Sequence, residues 1–243
     1  MSDEVTGWRQ VRGVPPLADN ALHIWFALTG EHEPALRHYA GLLSSAELQR
    51  AGRLRLEQLK TRFIISRGLL RTLLGTYLDC RPASIPITCT LQGKPCLPAS
   101  FSSAALSFNL SHSRVAILFA VRRGKPVGID VEYMRDQLDF ASLAKRFFSV
   151  REYRAISSLE GLQRKTAFYR YWTRKEAYLK ATGKGLAGLQ ETAGEQHELR
   201  AAAHDWSVID LRVPEPSYAG AVAFAGESAQ TEALLLTPDG PGI

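Results

Sequence analysis

The sequence of 243 residues is long enough for one large domain or two small ones with an ample core. Its composition, 45% hydrophobic and 22% charged, is typical of a soluble globular protein. The formal net charge of +6 suits an anionic partner, such as nucleic acid, a phosphorylated small molecule, an acidic protein or an anionic membrane. Because the basic residues are spread along the chain, charge alone does not choose among these partners, and a merely solvated basic surface fits as well.

Cysteine usage and the hydrophobic runs exclude several classes of protein. The cysteines, Cys80, Cys89 and Cys96, are odd in number and form no C-x-x-C motif, which argues against a disulfide framework or a Cys-rich zinc site. The segment MSDEVTGWRQ lacks the apolar core of a signal peptide, and no stretch approaches the roughly 18 apolar residues of a membrane span. We therefore expect a soluble protein of the reducing cytoplasm with no membrane partner.

The first half of the chain is predicted to contain two helices among strands. Ser44 or Ser45 can cap the first helix, which carries Glu47 in its first turn. The predicted elements are an irregular lead at 1–20, a strand at 21–28, helices at 42–54 and 59–78, a turn-rich segment at 79–105, and strands at 106–113 and 115–121.

The second half is predicted to resemble the first. Its elements are a strand at 127–133, one or two helices at 139–156, a helix at 162–183, strands at 206–213 and 219–225, and a frayed tail from Thr237. Gly183 is a normal C-terminal helix signal. The repeated order of helix and small apolar strand favours an α+β fold of two similar, pseudo-duplicated α/β halves, although two unrelated halves of similar composition would look the same.

The segment GIDVE contains two acidic residues on an apolar strand. Side chains alternate along a strand, so Asp130 and Glu132 share one face while Val127, Ile129 and Val131 point to the core. Two neighbouring carboxylates repel each other and resist burial. Either this is an edge strand with both carboxylates in water, or the pair binds a hard cation such as Mg²⁺, which prefers carboxylate oxygen and completes its shell with substrate phosphates.

The segment WTRKEAYLKATGKGL places a third carboxylate beside aromatic residues. On a helix, Phe168, Trp172, Glu176 and Lys180 follow one flank at i, i+4 spacing. Glu176 could simply pair with Lys180, an interaction that stabilises a helix by about 0.2–0.5 kcal/mol. Alternatively, Glu176 meets Asp130 across the fold and completes a metal site, with Lys180 reaching a phosphate as a point charge.

Two shorter segments could contact phosphate. In NLSHS, a lone histidine such as His112 is more often a hydrogen-bonded core residue, but Ser111, His112 and Ser113 at a strand end can also bind phosphate oxygens. In GKP, a stiff turn holds Lys94, which by itself means little.

Taken in order, QGKPCLP, FNLSHS, VGIDVE, RFFSVREY and WTRKEAYLKATGKGL resemble the 4′-phosphopantetheinyl transferases of the surfactin-synthetase-activating type. The last segment matches the family signature W-x-x-K-E-A-x-x-K-x-x-G-x-G-L at every fixed position. The resemblance runs from about Leu43 to Leu186.

The resemblance implies both a fold and an activity. Enzymes of this family have two similar α+β halves, here 1–126 on the nucleotide side of coenzyme A and 127–243 with the metal site and the carrier-facing side. They transfer the phosphopantetheine arm of coenzyme A to a serine of an acyl, aryl or peptidyl carrier protein and release adenosine 3′,5′-bisphosphate. Such carriers serve fatty-acid, polyketide or non-ribosomal peptide synthesis and are typically acidic, which gives the basic charge a use.

The resemblance also implies roles for individual residues. The implied metal ligands for Mg²⁺, with Mn²⁺ as an alternative, are Asp130, Glu132 and Glu176. The implied catalytic residues are Glu176, which accepts the serine proton, and Lys180, which stabilises the leaving group. The implied coenzyme A contacts are Arg62, Lys94, Pro95, Ser111, His112, Lys175 and Lys180. Where some relatives carry a pair of lysines for the 3′-phosphate, this chain offers Arg50, Arg53 and Arg55, and Glu152 lies near the site in relatives without an assigned role.

Two other functions are consistent with parts of the pattern. A metal-dependent phosphohydrolase would use the same acids with water as the nucleophile. A basic nucleic-acid-binding protein is supported only by net charge, because the chain has neither a stacking platform nor a helix with a basic stripe. We therefore expect a transferase, monomeric in view of its length and doubled architecture, that does not bind nucleic acid.

Overall fold

The structure, a computed structural model, describes residues 4–91, 93–98, 101, 106–185 and 206–239. Its strands are β1 (Glu4–Val5), β2 (Trp8–Gln10), β3 (Ala21–Leu28), β4 (Thr88–Cys89), β5 (Pro95–Cys96), β6 (Leu106–Ser113), β7 (Ala116–Arg123), β8 (Val127–Tyr133), β9 (Trp206–Leu211), β10 (Tyr218–Ala225) and β11 (Gln230–Leu235). Its α-helices are α1 (Thr29–His32), α2 (Leu36–Leu42), α3 (Ser45–Gly52), α4 (Glu57–Leu78), α5 (Phe140–Phe147), α6 (Val150–Ser157) and α7 (Gly161–Thr182).

The longer strands form two sheets that pack face to face between two long helices. One sheet has the strand order β2-β11-β3-β7-β6 and the other the order β1-β9-β10-β8, while β4 and β5 form a separate hairpin. Since strand side chains alternate, Trp25 and Phe119 of the first sheet pack with α4, whereas Ile24 and Leu118 meet Ile129 of the second sheet. Small residues of β10 receive α7 on the outer face of the second sheet. The fold is therefore mixed α/β.

The edges of the two sheets meet where β6 lies beside β8. The Oδ1 atom of Asn109 accepts a hydrogen bond from the Ile129 N–H at 2.8 Å, and Ser113 Oγ accepts one from the Tyr133 N–H at 3.1 Å. Side chains thus satisfy backbone donors of β8 that no strand pairs on this side. The edge is covered, so the acidic strand is not a solvent-exposed edge: Asp130 is only 3% exposed.

Most of the predicted elements are confirmed. The strand predictions at 21–28, 106–113 and 127–133 coincide with β3, β6 and β8, and the helices predicted at 59–78 and 162–183 correspond to α4 and α7. The predicted stop at Gly183 is the C-cap of α7, with a left-handed φ of 72°.

The start of the helix predicted at 42–54 requires correction, and the choice left open at 139–156 between one helix and two is decided. The helix predicted at 42–54 begins at Ser45, because Ser44 is its N-cap and forms a capping box with Glu47. The segment 139–156 is two helices, because Ser149 makes the same capping box with Glu152 and starts α6. Local side-chain hydrogen bonds, rather than hydrophobic periodicity, determine where these helices begin.

The chain ends were predicted incorrectly. The lead 1–20 contains β1 and β2, and β11 at 230–235 was not predicted, because short strands are defined by their pairing partners more than by their own pattern. These strands also cross between the halves: β1 runs parallel to β9 in the second sheet, and β11 runs parallel to β3 in the first. The predicted frayed tail lies partly outside the described residues. Every helix in the described ranges is too short or too polar to cross a bilayer.

Candidate active site

A cleft of about 390 Å³ opens where the two sheet edges, α4, α7 and the β4–β5 hairpin come together. One side of it is acidic and the other is basic. Its lining residues are Arg50, Phe63, Ser66, Arg67, Gly93, Pro95, Leu110, Ser111, His112, Asp130, Glu132, Trp172, Glu176 and Lys180. The fold thus brings together carboxylates that are 46 residues apart in sequence, from Asp130 to Glu176.

Gly128 allows the acidic strand and the signature helix to touch. A Cβ atom at this position would lie 2.1 Å from the Ala177 carbonyl oxygen and 2.3 Å from the Ala181 nitrogen. Both neighbours are backbone atoms of α7, which cannot rotate away. A hydrogen at this position therefore lets α7 lie directly on β8 and brings Glu176 and Lys180 to the carboxylates of that strand.

Asp130 is the centre of a buried hydrogen-bond cluster. Its Oδ1 accepts hydrogen bonds from Ser111 Oγ at 2.8 Å and from Lys180 Nζ at 2.6 Å. Lys180 also donates to Ser111 Oγ at 2.9 Å and to the Ile129 carbonyl oxygen at 3.3 Å. The second carboxylate oxygen, Oδ2, is buried and has no hydrogen-bond partner among the described residues. A buried acceptor without a partner is costly, and this one needs a donor or a cation.

The other two acids are held in the same electrostatic field. Burial and the nearby Asp130 raise the pKa of Glu132, although Ser113 Oγ donates a hydrogen bond to it at 2.8 Å. Burial and the Asp130 carboxylate raise the pKa of Glu176 to about 7. Each carboxylate disfavours ionisation of the others, as expected when acidic groups share a site.

These residues fit a hard divalent cation by their chemistry. Carboxylate oxygens are the preferred ligands of Mg²⁺, and the unpartnered Oδ2 of Asp130 is one such oxygen. Among the side chains that the structure describes, no group of three potential ligands has the spacing of a formed metal centre, and Lys180 contacts the opposite oxygen of Asp130. The carboxylate oxygens are therefore chemically suitable for such a cation. Their arrangement in this structure is a cluster of acids around the Lys180 ammonium.

The basic side of the cleft is built around one aromatic ring. The guanidinium carbons of Arg50 and Arg67 lie 5.4 Å and 5.6 Å from the centre of the Phe63 ring. Arg67 is anchored by an ion pair between its Nε and Glu47 Oε1 at 3.3 Å, but its buried Nη1 has no hydrogen-bond partner among the described residues. The two arginines are thus suited to bind an anionic group in the cleft.

Comparison with known proteins decides the family. A family model described as the 4′-phosphopantetheinyl transferase superfamily matches residues 126–225. The 4′-phosphopantetheinyl transferase HetI of Nostoc sp. is 43% identical over 215 residues, which cover 86% of this chain and 90% of the relative. The chain belongs to the 4′-phosphopantetheinyl transferase superfamily.

Other members of the superfamily match shorter parts of the chain. The 4′-phosphopantetheinyl transferase Sfp of Bacillus subtilis is 30% identical over 126 residues, covering 52% of this chain and 54% of the relative. AcpT of Salmonella typhimurium is 37% identical over 111 residues, covering 46% of this chain and 57% of the relative. The family and the enzyme class expected from the sequence motifs, a phosphopantetheinyl transferase, are confirmed.

Three of the implied coenzyme A contacts of the transferase lie at the acidic end of the cleft or beside it. Ser111 binds Asp130, and Arg62 donates a hydrogen bond to the Arg114 carbonyl oxygen at 3.2 Å. His112 lines the cleft and is not part of the hydrophobic core. Loss of water around its ring, together with the nearby charge of Arg62, lowers the pKa of His112 to about 4, so the ring is neutral at pH 7.

The two residues of the hairpin turn differ in placement. Pro95 lines the cleft. The Lys94 ammonium instead donates hydrogen bonds to the Val127 and Lys180 carbonyl oxygens, at 2.9 Å and 2.7 Å. Burial lowers the pKa of Lys94 to about 8.

Lys175 lies outside the cleft lining. It is fully buried, and its Nζ contacts Glu152 Oε2 at 3.0 Å and lies 5.5 Å from the centre of the Phe148 ring. Because Glu152 also closes the capping box of α6, this pair ties the signature helix to the start of α6. Lys175 and Glu152 therefore have the contacts of structural residues that hold α7 and α6 together.

The sequence did not identify several residues that shape the site. Gly128 was quoted only as part of a motif, and its close contact with α7 is visible only in the folded chain. Arg67 belongs to none of the motifs, and its placement in the cleft depends on the rotation of α4. Of the three arginines considered for the 3′-phosphate, Arg50 lines the cleft, whereas Arg53 and Arg55 are not in its lining.

Replacing Glu176 with Gln should stabilise the metal-free transferase at high pH. The folded-state pKa of about 7 lies above the ordinary value of 4.5, so keeping Glu176 ionised costs folding free energy progressively as pH rises through this range. Glu176→Gln should therefore raise Tm in EDTA at pH 8 and change it little at pH 4.5. Glu227→Gln, the same change at an exposed position, is the control. If Glu176→Gln raised Tm equally at pH 4.5 and pH 8, charge repulsion at Glu176 would be contradicted.

Proposed function

We propose that this transferase moves the 4′-phosphopantetheine group of coenzyme A to a serine hydroxyl of an acyl, aryl or peptidyl carrier protein. The observation that carries the proposal is the meeting of Asp130, Glu132 and Glu176 in one cleft with Lys180 among them and two arginines opposite. This arrangement suits a diphosphate with a further phosphate at a distance, which is the charge pattern of coenzyme A. In the reaction, the serine oxygen bonds to phosphorus, the phosphorus–oxygen bond to the nucleotide breaks, and adenosine 3′,5′-bisphosphate leaves.

Asp130, Glu132 and Glu176 would hold Mg²⁺, with Mn²⁺ as an alternative. When bound, such an ion neutralises charge on the diphosphate in phosphoryl transfer. The unpartnered oxygen of Asp130 and the raised pKa values of the two glutamates support this assignment, because a cation would relieve both effects.

Glu176 and Lys180 carry the two chemical roles that this chain supplies: Glu176 accepts a proton, and Lys180 stabilises the leaving group. The Glu176 carboxylate accepts the proton of the serine hydroxyl, the part of a general base. Lys180 Nζ, at present on Asp130 and Ser111, stabilises the negative oxygen of the departing bisphosphate. Trp172 lines the same cleft as Glu176.

The remaining phosphates of coenzyme A would lie along the basic side of the cleft. We assign the 3′-phosphate to Arg50 and Arg67, because both guanidinium groups lie over Phe63 and the buried Nη1 of Arg67 lacks a partner among the described residues. Ser111, His112 and Arg62 stay assigned to the phosphates of coenzyme A, with Pro95 against the nucleotide. A comparison of coenzyme A with 3′-dephospho-coenzyme A tests the arginine assignment.

The two halves, 1–126 and 127–243, would be pseudo-duplicated, with coenzyme A between them. Supporting this, α4 and α7 are both 22 residues long, each packs on the outer face of one sheet, and each ends at a residue in the left-handed conformation. The exchange of β1 and β11 between the sheets is an exception to a simple division at residue 126.

The carrier protein would dock at α5 and the start of α6. Lys145 and Arg146 are exposed in the last turn of α5, and the nearby Val150 is 47% exposed, which together offer a basic and apolar surface to an acidic carrier helix.

Reversing the charge of both residues, Lys145→Glu with Arg146→Glu, should raise the KM for the carrier about tenfold at low salt and leave the KM for coenzyme A unchanged. Arg12→Glu with Lys125→Glu makes the same charge change at exposed positions elsewhere and is the control. Steady-state kinetics with each substrate varied in turn provide the measurement. Equal effects of the two double variants would indicate general charge attraction and not docking at α5.

The proposed reaction is tested by incubating the protein with coenzyme A, Mg²⁺ and an apo carrier protein. A mass gain of one phosphopantetheine unit on the carrier, with release of the bisphosphate, supports the transferase reaction. Release of bisphosphate without carrier modification would indicate a phosphohydrolase. A panel of apo carriers from fatty-acid, polyketide and peptide synthesis then identifies the preferred substrate.

The setting of the reaction would be the cytoplasm, where coenzyme A and reducing conditions occur together. The three free cysteines and the absence of a membrane-spanning helix among the described residues support this location. We also propose a monomer, which light scattering of the purified protein tests.

A further inference from the structure

The side chain of Lys94 connects three elements behind the cleft. The β4–β5 turn holds this residue rigidly: the Thr90 N–H donates to the Lys94 carbonyl oxygen at 2.8 Å, and the Lys94 N–H donates to Thr90 Oγ1 at 3.2 Å. Gly93 provides the left-handed φ of 80° that this turn requires. From there the ammonium reaches the carbonyl oxygens of Val127 in β8 and Lys180 in α7.

Both acceptors lie at the junction on which the acidic cluster depends. Val127 directly precedes Gly128, where α7 touches β8. Lys180 lies in the last turn of α7, where carbonyl oxygens lack partners within the helix and where a positive charge is favourable. The Lys94 ammonium therefore supplies a donor at this helix end and connects it to the start of the acidic strand.

The same contacts direct Lys94 away from a phosphate. Two of the three ammonium hydrogens point to backbone carbonyl oxygens, and Lys94 is absent from the cleft lining, whereas its neighbours Gly93 and Pro95 are part of it. The backbone of the turn faces the cleft, and the lysine head faces the α7–β8 junction.

We infer that Lys94 is a positioning residue that holds the backbone of Lys180 so that the Lys180 ammonium stays against Asp130 and Ser111. The inference rests on the proposed function, because it assigns the effect of Lys94 to the catalytic step carried by Lys180. Lys94 does not bind coenzyme A phosphate. It also couples the hairpin that lines the cleft to the helix that carries Glu176 and Lys180.

Kinetics with two substrates separate this role from phosphate binding. Lys94→Met keeps the length of the side chain and removes its donors. It should lower kcat about 10- to 100-fold, the size expected for a misplaced catalytic group, and change the KM for coenzyme A less than about twofold. The same loss in kcat is expected with 3′-dephospho-coenzyme A. Arg67→Ala is the comparison variant. It should raise the KM for coenzyme A and leave the KM for 3′-dephospho-coenzyme A unchanged.

A double-mutant cycle tests whether Lys94 acts through Lys180. In a Lys180→Met background, Lys94→Met should lower kcat by less than about twofold, because the group that it positions is already absent. Effects that multiply, or a rise in the KM for coenzyme A that vanishes with the dephospho substrate, would overturn the inference. Lys60→Met, at a half-buried lysine that pairs with Glu57 outside the cleft lining, controls for loss of a lysine as such.

The measurements also separate positioning from folding and from failure of the proposed function. Circular dichroism and Tm of each variant report the folded fraction to which kcat is normalised. If Lys94→Met does not fold, Lys94→Arg takes its place in the same measurements. A change confined to kcat then supports a positioning role, and a change confined to the KM for coenzyme A opposes it. A wild-type protein that modifies no carrier would instead overturn the proposed function.

Discussion

An Asp130→Asn protein is expected to lose at least about 10³-fold in the rate of carrier modification, because a metal ligand supplies several kcal/mol of transition-state stabilisation in phosphoryl transfer. Asparagine keeps the size of the buried side chain and can still accept from Ser111, so the fold should survive. It removes the charge that faces Lys180 and that raises the pKa of Glu176. Single-turnover transfer followed by mass spectrometry of the carrier provides the measurement.

The control for this prediction is Asp19→Asn, the same chemical change at an exposed position far from the cleft in sequence. Its rate should equal that of the wild type. If Asp130→Asn retained wild-type turnover while its Tm was unchanged, the carboxylate cluster would not be the catalytic centre, and the Mg²⁺ assignment would fail with it.

A Gly128→Ala protein is expected to lose both stability and activity. The added methyl carbon would lie 2.1 Å from the Ala177 carbonyl oxygen and 2.3 Å from the Ala181 nitrogen, so α7 must move away from β8. Overpacking costs about 1–3 kcal/mol and sometimes more, and contact with rigid backbone favours the upper end. A shift of about 1 Å would also cost about 10²-fold in rate, because Glu176 and Lys180 travel with α7.

Urea unfolding and transfer kinetics of the same preparation measure the two losses. Gly52→Ala is the matched control, because a Cβ atom there meets nothing within 4 Å and the backbone is not left-handed. Its stability should be unchanged or slightly higher. A Gly128→Ala protein as stable and active as this control would show that the close contact of α7 with β8 is not required.

Local signals in the sequence were sufficient for most helices and strands. The alternation in GIDVE correctly placed Ile129 in the core and Asp130 on the opposite face, because strand periodicity is a property of the backbone itself. Ser149 followed by Glu152 is a capping box, and it divides the segment 139–156 into two helices. The short strands at the chain ends carried no such signal.

The order of the motifs was sufficient to predict the family, since each fixed position of the signature can be compared directly. Individual roles did not follow in the same way. Lys175 and Glu176 are adjacent in sequence, yet one is buried against Glu152 and the other lines the cleft, because neighbouring helical residues point in directions about 100° apart. Only the packing of α7 decides which of them faces the acidic strand.

The amino-acid sequence by itself determined the periodic elements, the caps at Ser44 and Gly183, the family and the set of acidic and basic residues from which a site could be built. The tertiary structure decided which of those residues meet. Contact across the cleft depends on Gly128, on the rotation of α4 and α7, and on the reach of Lys94 to two carbonyl oxygens. These are distances between segments remote in sequence, and local propensities do not encode them, because each is established only when the two sheets and their helices pack together.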